Sequence, residues 1–445
     1  MATDFFGFLE KPGLSPERAS RVLPSFVVWA ALGVVRLQRT GPVVRGAFVA
    51  LNALLTAGAA VVFNATMVRL GLSRAARGIG LTGLSVSFMG LVMPAYYAPL
   101  TDTCGLFLSC LGLYGFVARQ TATLTITSAV AALSWPTASY ASVLLAGFGP
   151  PAGPGWASPD FARKASSAAA GCAFVAVAVA GALAAWKGYT PTLYYYNATP
   201  RLDAALPLSI LVAAIYVAFG TRALVRAALL APRPRPAPQA LGPAIVLVIL
   251  TLGASTLVSQ PGKGFLEMMF VGGDNIFGRG TVAPGVFLVA HATYFGPLVV
   301  LATFYRDRMA QAAADLGFGA VLTLMAGLLL SLTSESRHLI AFWPLFVLLV
   351  ATSIPSDTRW SWAAGFLALS IAWSKIWLVP HTFDAGKPSV VRYFAHQGPW
   401  MIREAYILQG VAMVLTWLIL LRVTATISRK ALGPPYPREE IRVRR

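Results

Sequence analysis

The chain has 445 residues, of which 57% are hydrophobic and 11% are charged, and its formal net charge is +19. Soluble domains contain roughly a quarter charged residues, so this composition, with a mean hydropathy of +0.69, excludes an ordinary soluble protein. The basic residues are dispersed over short loops rather than gathered in one domain. That pattern argues against nucleic acid as a partner and favours membrane lipids with anionic headgroups.

Apolar stretches that are long enough to cross a bilayer recur between residues 46 and 422. Lipid offers no partners to backbone N–H and C=O groups, so these stretches must form helices. The sequence predicts an all-α, polytopic integral membrane helix bundle with about twelve transmembrane helices, within a range of ten to fourteen. The predicted spans are 46–66, 79–97, 104–118, 122–147, 167–186, 204–228, 242–259, 283–304, 317–332, 339–354, 360–379 and 405–422.

Three regions are predicted: an N-terminal external or interfacial segment (1–45), the transmembrane domain (46–422) and a basic tail (423–445). Residues 24–36 are apolar over too few positions to span a bilayer, so they are expected to lie in the interface or to re-enter the membrane. The N-terminus lacks the pattern of a cleavable signal peptide.

The stretch 122–147 contains Pro136 at its middle. A proline inside a helix removes a hydrogen-bond donor and crowds the preceding turn. We therefore expect this stretch to form two half-helices that enter and leave the membrane on the same side.

The basic loops predict the orientation of the chain. The tail carries the densest group of arginines and lysines, so the positive-inside rule places the C-terminus in the cytoplasm. Counting back from the tail, the loops 187–203, 260–282, 333–338 and 380–404 are external. The loop 94–103 is also external if 122–147 re-enters. We expect the membrane to be a bacterial plasma membrane or an endoplasmic reticulum membrane.

Polar residues of the external loops are the candidates for function. Asp102 follows an aromatic, proline-containing turn at the start of a helix. It is either an N-cap that satisfies backbone amides or a carboxylate that faces an aqueous vestibule and accepts a proton.

Glu335, Arg337 and His338 lie within four residues between two strongly apolar stretches. They form either a local ion pair that holds the loop or a site for phosphate, because arginine presents a bidentate fork of donors. Charged groups at such positions are costly and are usually functional.

Two further external loops combine charges with glycine or aromatic residues. Asp274 and Arg279 lie in a glycine-rich segment that either approaches a ligand closely or is merely a flexible loop. Arg392 lies in the last external loop, whose aromatic residues form either an interfacial belt or the cap of a headgroup-sized cavity. His291 lies in the predicted span 283–304, which follows the glycine-rich segment, and is either a hydrogen-bonded core histidine or a lining residue.

The run from Gly41 to about Leu145 resembles the front of the polytopic GT-C glycosyltransferases, which use lipid-linked sugars. It has an early Asn52, a basic turn around Arg74, an apolar helix that ends near Pro94 and a helix led by Asp102. The segment from Ser334 through Pro344 resembles the late motif of these enzymes, in which an arginine or a histidine faces the lipid phosphate.

The resemblance implies transfer of a sugar from a polyprenyl-phosphate carrier on the external or lumenal side. Its first external acid would be Asp4, although no full span precedes that residue. The implied catalytic acids are Asp4, Asp102 and Asp274. The implied substrate-binding residues are Glu335, Arg337, His338, Arg392 and Arg279. No cofactor and no metal site are predicted, although the sequence does not exclude a divalent metal. The sequence does not determine the oligomeric state.

Two other classes fit the same composition. A transporter or flippase of an amphipathic lipid or glycolipid would use the same arginines without chemistry and would show related halves with broken helices. A non-catalytic membrane assembly protein would have no external carboxylate facing a cavity.

Overall fold

The computed structural model describes residues 21–99, 101–148, 157–186, 205–231, parts of 241–253, 283–333, 335–377, 401 and 403–431. Its regular elements are helices. The all-α class predicted from the sequence is therefore confirmed for the described part of the chain.

The N-terminal part of the chain contains one long helix, α2, among shorter ones. They are α1 (Leu23–Val34), α2 (Gly41–Arg69), α3 (Arg74–Ser85), α4 (Met93–Tyr96), α5 (Asp102–Ala118), α6 (Thr121–Ala132) and α7 (Pro136–Ala146). A π-helical turn, Phe88–Val92, connects α3 to α4.

The C-terminal part contains both long and short helices. Its helices are α8 (Pro159–Trp186), α9 (Leu206–Leu230), α10 (Val286–Phe295), α11 (Leu298–Leu316), α12 (Phe318–Leu330), α13 (Trp343–Ser353), α14 (Trp360–Ser374) and α15 (Arg403–Ala431). A 3-10 turn, Ser336–Leu339, precedes α13. Helix α15 continues past residue 422, which was the predicted boundary of the basic tail.

Four helices are long and apolar enough to cross a membrane: Gly41–Arg69, Pro159–Leu183, Leu206–Leu230 and Arg403–Thr424. The number rises to six if two bent pairs each form one span. The first pair is α3 with residues 88–96, bent by 62°, and the second is α10 with α11, bent by 106°. The protein is therefore a multi-pass membrane protein, with four to six candidate spans in its described residues.

The outer surface of the long helices is apolar. On α2, Leu54 is 72% exposed and Val61 is 69% exposed, and α8, α9 and α15 also carry exposed branched aliphatic residues. Contiguous exposed apolar faces of this kind would be a liability in water but suit contact with lipid tails. The fold thus agrees with the bilayer predicted from composition.

Helix breaks, short helices and undescribed residues together account for the difference from the predicted twelve spans. The predicted spans 317–332 and 339–354, for example, form unbroken helices of only 13 and 11 residues. The stretch 122–147 does divide into two helices at Pro136, and the two halves pack against each other. The predicted span 283–304, in contrast, is broken between Phe295 and Leu298, because Gly296 adopts a φ of 83° and Pro297 follows it. The predicted span 242–259 falls largely outside the described residues.

The buried core lies where the short helices meet. Helix α5 packs against α2, α6 and α7, while α13 packs against α3, α5 and α11. Trp343 of α13 stacks on Phe295 with ring centroids 4.1 Å apart, and its indole N–H donates to the Gly83 carbonyl at 3.3 Å. These contacts bring the start of α5, the end of α10 and the loop before α13 together.

Candidate functional site

Asp102 is the first residue of α5, and its carboxylate turns away from its own helix. The N-cap residue of α5 is Thr101, and no side chain caps the helix. The interpretation of Asp102 as the N-cap is therefore wrong. The side chain is 5% exposed. A carboxylate at this depth requires a partner, because burying an unpaired charge is strongly unfavourable.

That partner is Arg337, which lies in the 3-10 turn before α13. The Arg337 Nε donates to Asp102 Oδ2 at 2.9 Å and to Oδ1 at 3.1 Å, and Nη2 donates to Oδ1 at 2.9 Å. Two parallel contacts between a guanidinium and a carboxylate give both strength and fixed geometry. The pair joins two residues that the sequence analysis had nominated independently.

Tyr294 of α10 contributes a third contact to the Asp102 carboxylate. Its hydroxyl donates to Oδ2 at 3.0 Å, and the residue is fully buried. Each oxygen of Asp102 therefore accepts two hydrogen bonds. The principal effect of these contacts is to fix the position of Arg337 relative to Asp102.

Arg337 keeps donors available after it has bound Asp102. Its Nη1 donates to no acceptor in the described part of the chain, and the side chain is 16% exposed. Burial alone would lower the pKa of the guanidinium, but the Asp102 carboxylate raises that pKa above its ordinary value. Arg337 is thus a permanently charged group with one edge fixed and another edge accessible.

Asn52 holds the turn that leads into α5. Its side-chain amide donates to the carbonyls of Pro94 and Ala98, both at 2.9 Å, and the residue is 3% exposed. Since these two carbonyls bracket the aromatic turn, Asn52 of α2 determines where the turn runs. The position of Asp102 therefore depends on a residue of another helix.

His291 holds the other side of the site. Its Nε2 lies 2.8 Å from the Ser331 carbonyl, and its Nδ1 lies 2.9 Å from the Ser336 hydroxyl. A carbonyl only accepts, so Nε2 carries the proton and Nδ1 accepts from Ser336. With both nitrogens occupied, His291 is a hydrogen-bonded core histidine that anchors the loop beside Arg337.

Glu335 and His338 flank Arg337 but pair with each other. His338 Nε2 lies 3.9 Å from Glu335 Oε2, and the Glu335 N–H donates to the Thr333 hydroxyl at 3.1 Å. The two side chains are therefore neighbours within the loop, and they form an ion pair when His338 is protonated. Arg337 instead pairs with Asp102, which lies on a distant helix.

Helix α10 also bears a second polar contact on another side. Thr293 donates to Gln409 of α15, and the Lys375 ammonium, 5% exposed, donates to the same Gln409 oxygen at 3.0 Å. The sequence analysis did not single out Lys375, which lies inside the predicted span 360–379. The sequence feature that could have indicated it is a lysine within an otherwise apolar stretch.

The remaining nominated residues are Asp4, Asp274, Arg279 and Arg392, and they lie outside the described residues. Within the described ranges there is no group of three histidine, cysteine or acidic side chains that could hold a metal ion. The sequence analysis did not consider Trp135 as a site residue, yet the centroid of its ring lies 5.8 Å from the Arg337 guanidinium carbon. Only the three-dimensional packing connects the two.

No protein-family model, no curated protein and no solved structure matches this chain. The site geometry is therefore the basis on which a function can be inferred.

Proposed function

We propose that this protein is an integral membrane glycosyltransferase of the GT-C type, which transfers a sugar from a polyprenyl-phosphate donor. The observation that supports the proposal is the buried pair of Asp102 and Arg337, with the accessible Nη1 edge of Arg337 beside it. A fixed arginine with spare donors, next to apolar helices, is suited to a phosphate that carries a lipid tail.

In this reaction Arg337 stabilises the leaving group. The bond between the sugar C1 and the phosphate oxygen breaks, and the polyprenyl phosphate leaves with the electron pair. A new bond forms between C1 and the acceptor oxygen, while the acceptor proton passes to a carboxylate. Negative charge grows on the phosphate as the bond breaks, so a preorganised cation lowers the barrier.

The general base that accepts the acceptor proton is one of the acidic residues predicted from the sequence. Asp102 serves as the base only when incoming phosphate draws Arg337 donors away from it, because both of its oxygens are occupied at rest. Asp4 and Asp274 are the other candidates proposed from the sequence. In either case Asp102 positions Arg337.

We propose that the site faces the external or lumenal side and that the basic C-terminus is cytoplasmic. The basis is the distribution of arginines and lysines. The proposed twelve-helix arrangement also rests on the apolar stretches of the sequence rather than on the described helices alone.

The test uses the purified full-length protein in vesicles of host membrane lipids, which supply acceptors. Citronellyl-phosphate mannose and citronellyl-phosphate glucose are the donor probes, and release of citronellyl phosphate is measured. We expect Arg337→Gln to lower the rate by roughly 100-fold or more, and Arg337→Lys to recover part of it. The matched control, Arg306→Gln, changes an exposed arginine beside Asp307. Full activity in Arg337→Gln would refute this role.

A lipid transporter or flippase is the second candidate, favoured by the broken helices at Pro136 and at Gly296–Pro297. Discontinuous helices often line the substrate path in transporters. The same vesicles distinguish the two functions. A flippase would move a fluorescent citronellyl phosphate between leaflets without consuming either sugar donor.

A further inference from the structure

A lysine is buried at the end of α14, next to helices α10 and α15 and the π-helical turn. Lys375 is 5% exposed, and its Nζ donates to the Gln409 Oε1 of α15 at 3.0 Å. The same Nζ lies 5.4 Å from the centroid of the Phe88 ring in the turn. Thr293 of α10 donates to the same Gln409 oxygen. The ammonium group of Lys375 therefore lies inside the bundle rather than at its surface.

The charge of Lys375 has no acidic counterion among the residues that the structure describes. An ammonium group has three N–H donors, and in the described chain the Gln409 oxygen is the single acceptor for them. The face of the Phe88 ring attracts a cation only weakly. Burying a charge without a counterion is strongly unfavourable. The position of this ammonium group therefore calls for an anion that the described residues do not supply.

The backbone of Lys375 is also unusual. Its φ is 60°, in the left-handed region where a helix end normally carries glycine. Arg36 and Arg119 are the other residues besides glycine with a positive φ in the described ranges, and both are exposed. Lys375 thus combines an unfavourable backbone conformation with a buried charge. Such combinations persist mainly where they serve a ligand.

The surface beside Lys375 suits the acyl chains of a lipid. Ile376 and Trp377 directly follow the lysine, and both are exposed apolar residues. On α15, Leu408 next to Gln409 is exposed as well. Exposed apolar side chains on both helices are typical of a surface in contact with lipid tails. A lipid that lies along α14 and α15 would therefore bring its headgroup close to the ammonium group.

We propose that Lys375 binds the phosphodiester of an anionic phospholipid whose acyl chains lie along α14 and α15. The one net negative charge of such a lipid matches the one uncompensated ammonium group. The remaining N–H groups of Lys375 would donate to the phosphodiester oxygens as charge-assisted hydrogen bonds. A zwitterionic phospholipid carries its own cation and would leave the lysine charge uncompensated. The inference goes beyond the proposed function and does not depend on sugar transfer.

This lipid site is separate from the pair of Asp102 and Arg337. The carboxylate of Asp102 accepts from Arg337 and from Tyr294, so the pair already balances its own charges. The rings of Tyr294 and Phe88 have their centroids 6.3 Å apart. Lys375 contacts Phe88 and not the carboxylate, so the lipid phosphodiester and the donor phosphate would bind to different cations.

The experiment measures lipid binding by the purified full-length protein in dodecyl maltoside micelles. Dioleoylphosphatidylglycerol and dioleoylphosphatidylcholine, which share their acyl chains, are titrated, and native mass spectrometry counts the bound lipid. Dimethyl phosphate is the third probe, because it is a phosphodiester without acyl chains. We expect the wild type to bind phosphatidylglycerol about 10-fold more tightly than phosphatidylcholine, as for one hydrogen bond between charged groups. Lys375→Met should remove this preference and leave phosphatidylcholine binding unchanged.

Arg119→Met is the matched control, because it removes the same charge from a similar backbone position. Arg119 ends α5 with a φ of 59°, but its side chain is exposed. This variant should bind phosphatidylglycerol like the wild type. Methionine has nearly the length of lysine, and replacing a buried charge by an apolar side chain is often neutral or stabilising. The unfolding temperature of Lys375→Met without lipid should therefore not fall below that of the wild type. The lipid preference of the wild type is a test that needs no variant.

Loss of the phosphatidylglycerol preference in Lys375→Met, with Arg119→Met unchanged, supports the inference. Equal affinity of the wild type for the two lipids, or wild-type affinity for phosphatidylglycerol in Lys375→Met, overturns it. Binding of dimethyl phosphate as tight as that of phosphatidylglycerol would identify a site for a free phosphodiester and would overturn the assignment to a lipid. Loss of the preference in Arg337→Gln but not in Lys375→Met would place the lipid at Arg337 and would also overturn the inference. None of these outcomes depends on whether the protein transfers sugars.

Discussion

Arg337 and Asp102 form a bidentate ion pair although 235 positions of sequence separate them. The pair joins the start of α5 to the loop before α13, so it connects the N-terminal and C-terminal helices inside the membrane protein. Its two side chains are 16% and 5% exposed. Water therefore screens the ion pair little. Loss of the pair should affect both the stability of the fold and the geometry of the site.

The first prediction concerns the stability contributed by this pair. We expect Asp102→Ala to lower the free energy of unfolding by roughly 3–5 kcal/mol, because it leaves a buried guanidinium without its counterion. Replacing both residues, as in Asp102→Leu with Arg337→Met, should recover most of that loss. Unfolding in mixed micelles measures the free energies of unfolding of the single and the double variant. Additive effects of the single substitutions would show that the pair is not coupled.

Tyr294→Phe tests the third contact to Asp102. It removes one hydrogen bond to a charged group, which corresponds to a loss of roughly 1.5–3 kcal/mol in the free energy of unfolding. The matched control is Tyr305→Phe, since Tyr305 is 8% exposed and its hydroxyl makes no hydrogen bond within the described ranges. Equal effects of the two substitutions would assign the change to packing rather than to the contact with Asp102.

The sequence predicted most helices because apolar stretches separated by basic or aromatic loops are a direct signal. It also predicted the break at Pro136, since an interior proline disrupts a helix. It did not predict the break after Phe295. There a glycine with positive φ and a proline follow a continuous apolar run, and periodicity does not distinguish a bent helix from a straight one.

The candidate site was predicted in part. Asp102 and Arg337 stood out because charges are rare in apolar surroundings, and the structure brings them together. Their direct pairing was not predictable, because it depends on how α10 and α13 pack around α5. Trp135 was missed as a neighbour of Arg337, since a tryptophan beside a helix break carries no sequence signal of an arginine so far along the chain.

Asn52 supplies the next prediction. Asn52→Ala should lower the free energy of unfolding by roughly 1–3 kcal/mol, because it leaves the carbonyls of Pro94 and Ala98 without donors in a buried place. Asn64→Ala changes an asparagine of the same helix that is half-buried and should cost less. Thermal unfolding in detergent compares the two. A larger loss in Asn64→Ala would contradict the role given to Asn52.

The hairpin formed by α6 and α7 should enter and leave the membrane on one side. Each helix has 12 or 11 residues, too few to cross a hydrocarbon core of about 30 Å at about 1.5 Å per residue. Single cysteines at Gln120 and Asp160, in a background without Cys104, Cys110 and Cys172, should react with an impermeant maleimide from the same side. Labelling from opposite sides would make the hairpin a true crossing.

Gly105 provides the last prediction, which isolates the packing of Trp135. A methyl group at this position would lie 2.6 Å from the indole, and Gly105→Ala should therefore cost roughly 1–3 kcal/mol in unfolding free energy through overpacking. Gly171→Ala is the control, because nothing lies within 4 Å of its added Cβ on α8. There the loss of backbone freedom in the unfolded chain should stabilise the helix by roughly 0.5–1 kcal/mol. A tolerated alanine at Gly105 would mean that the Trp135 ring can move away from α5, which contradicts the close packing of the two residues.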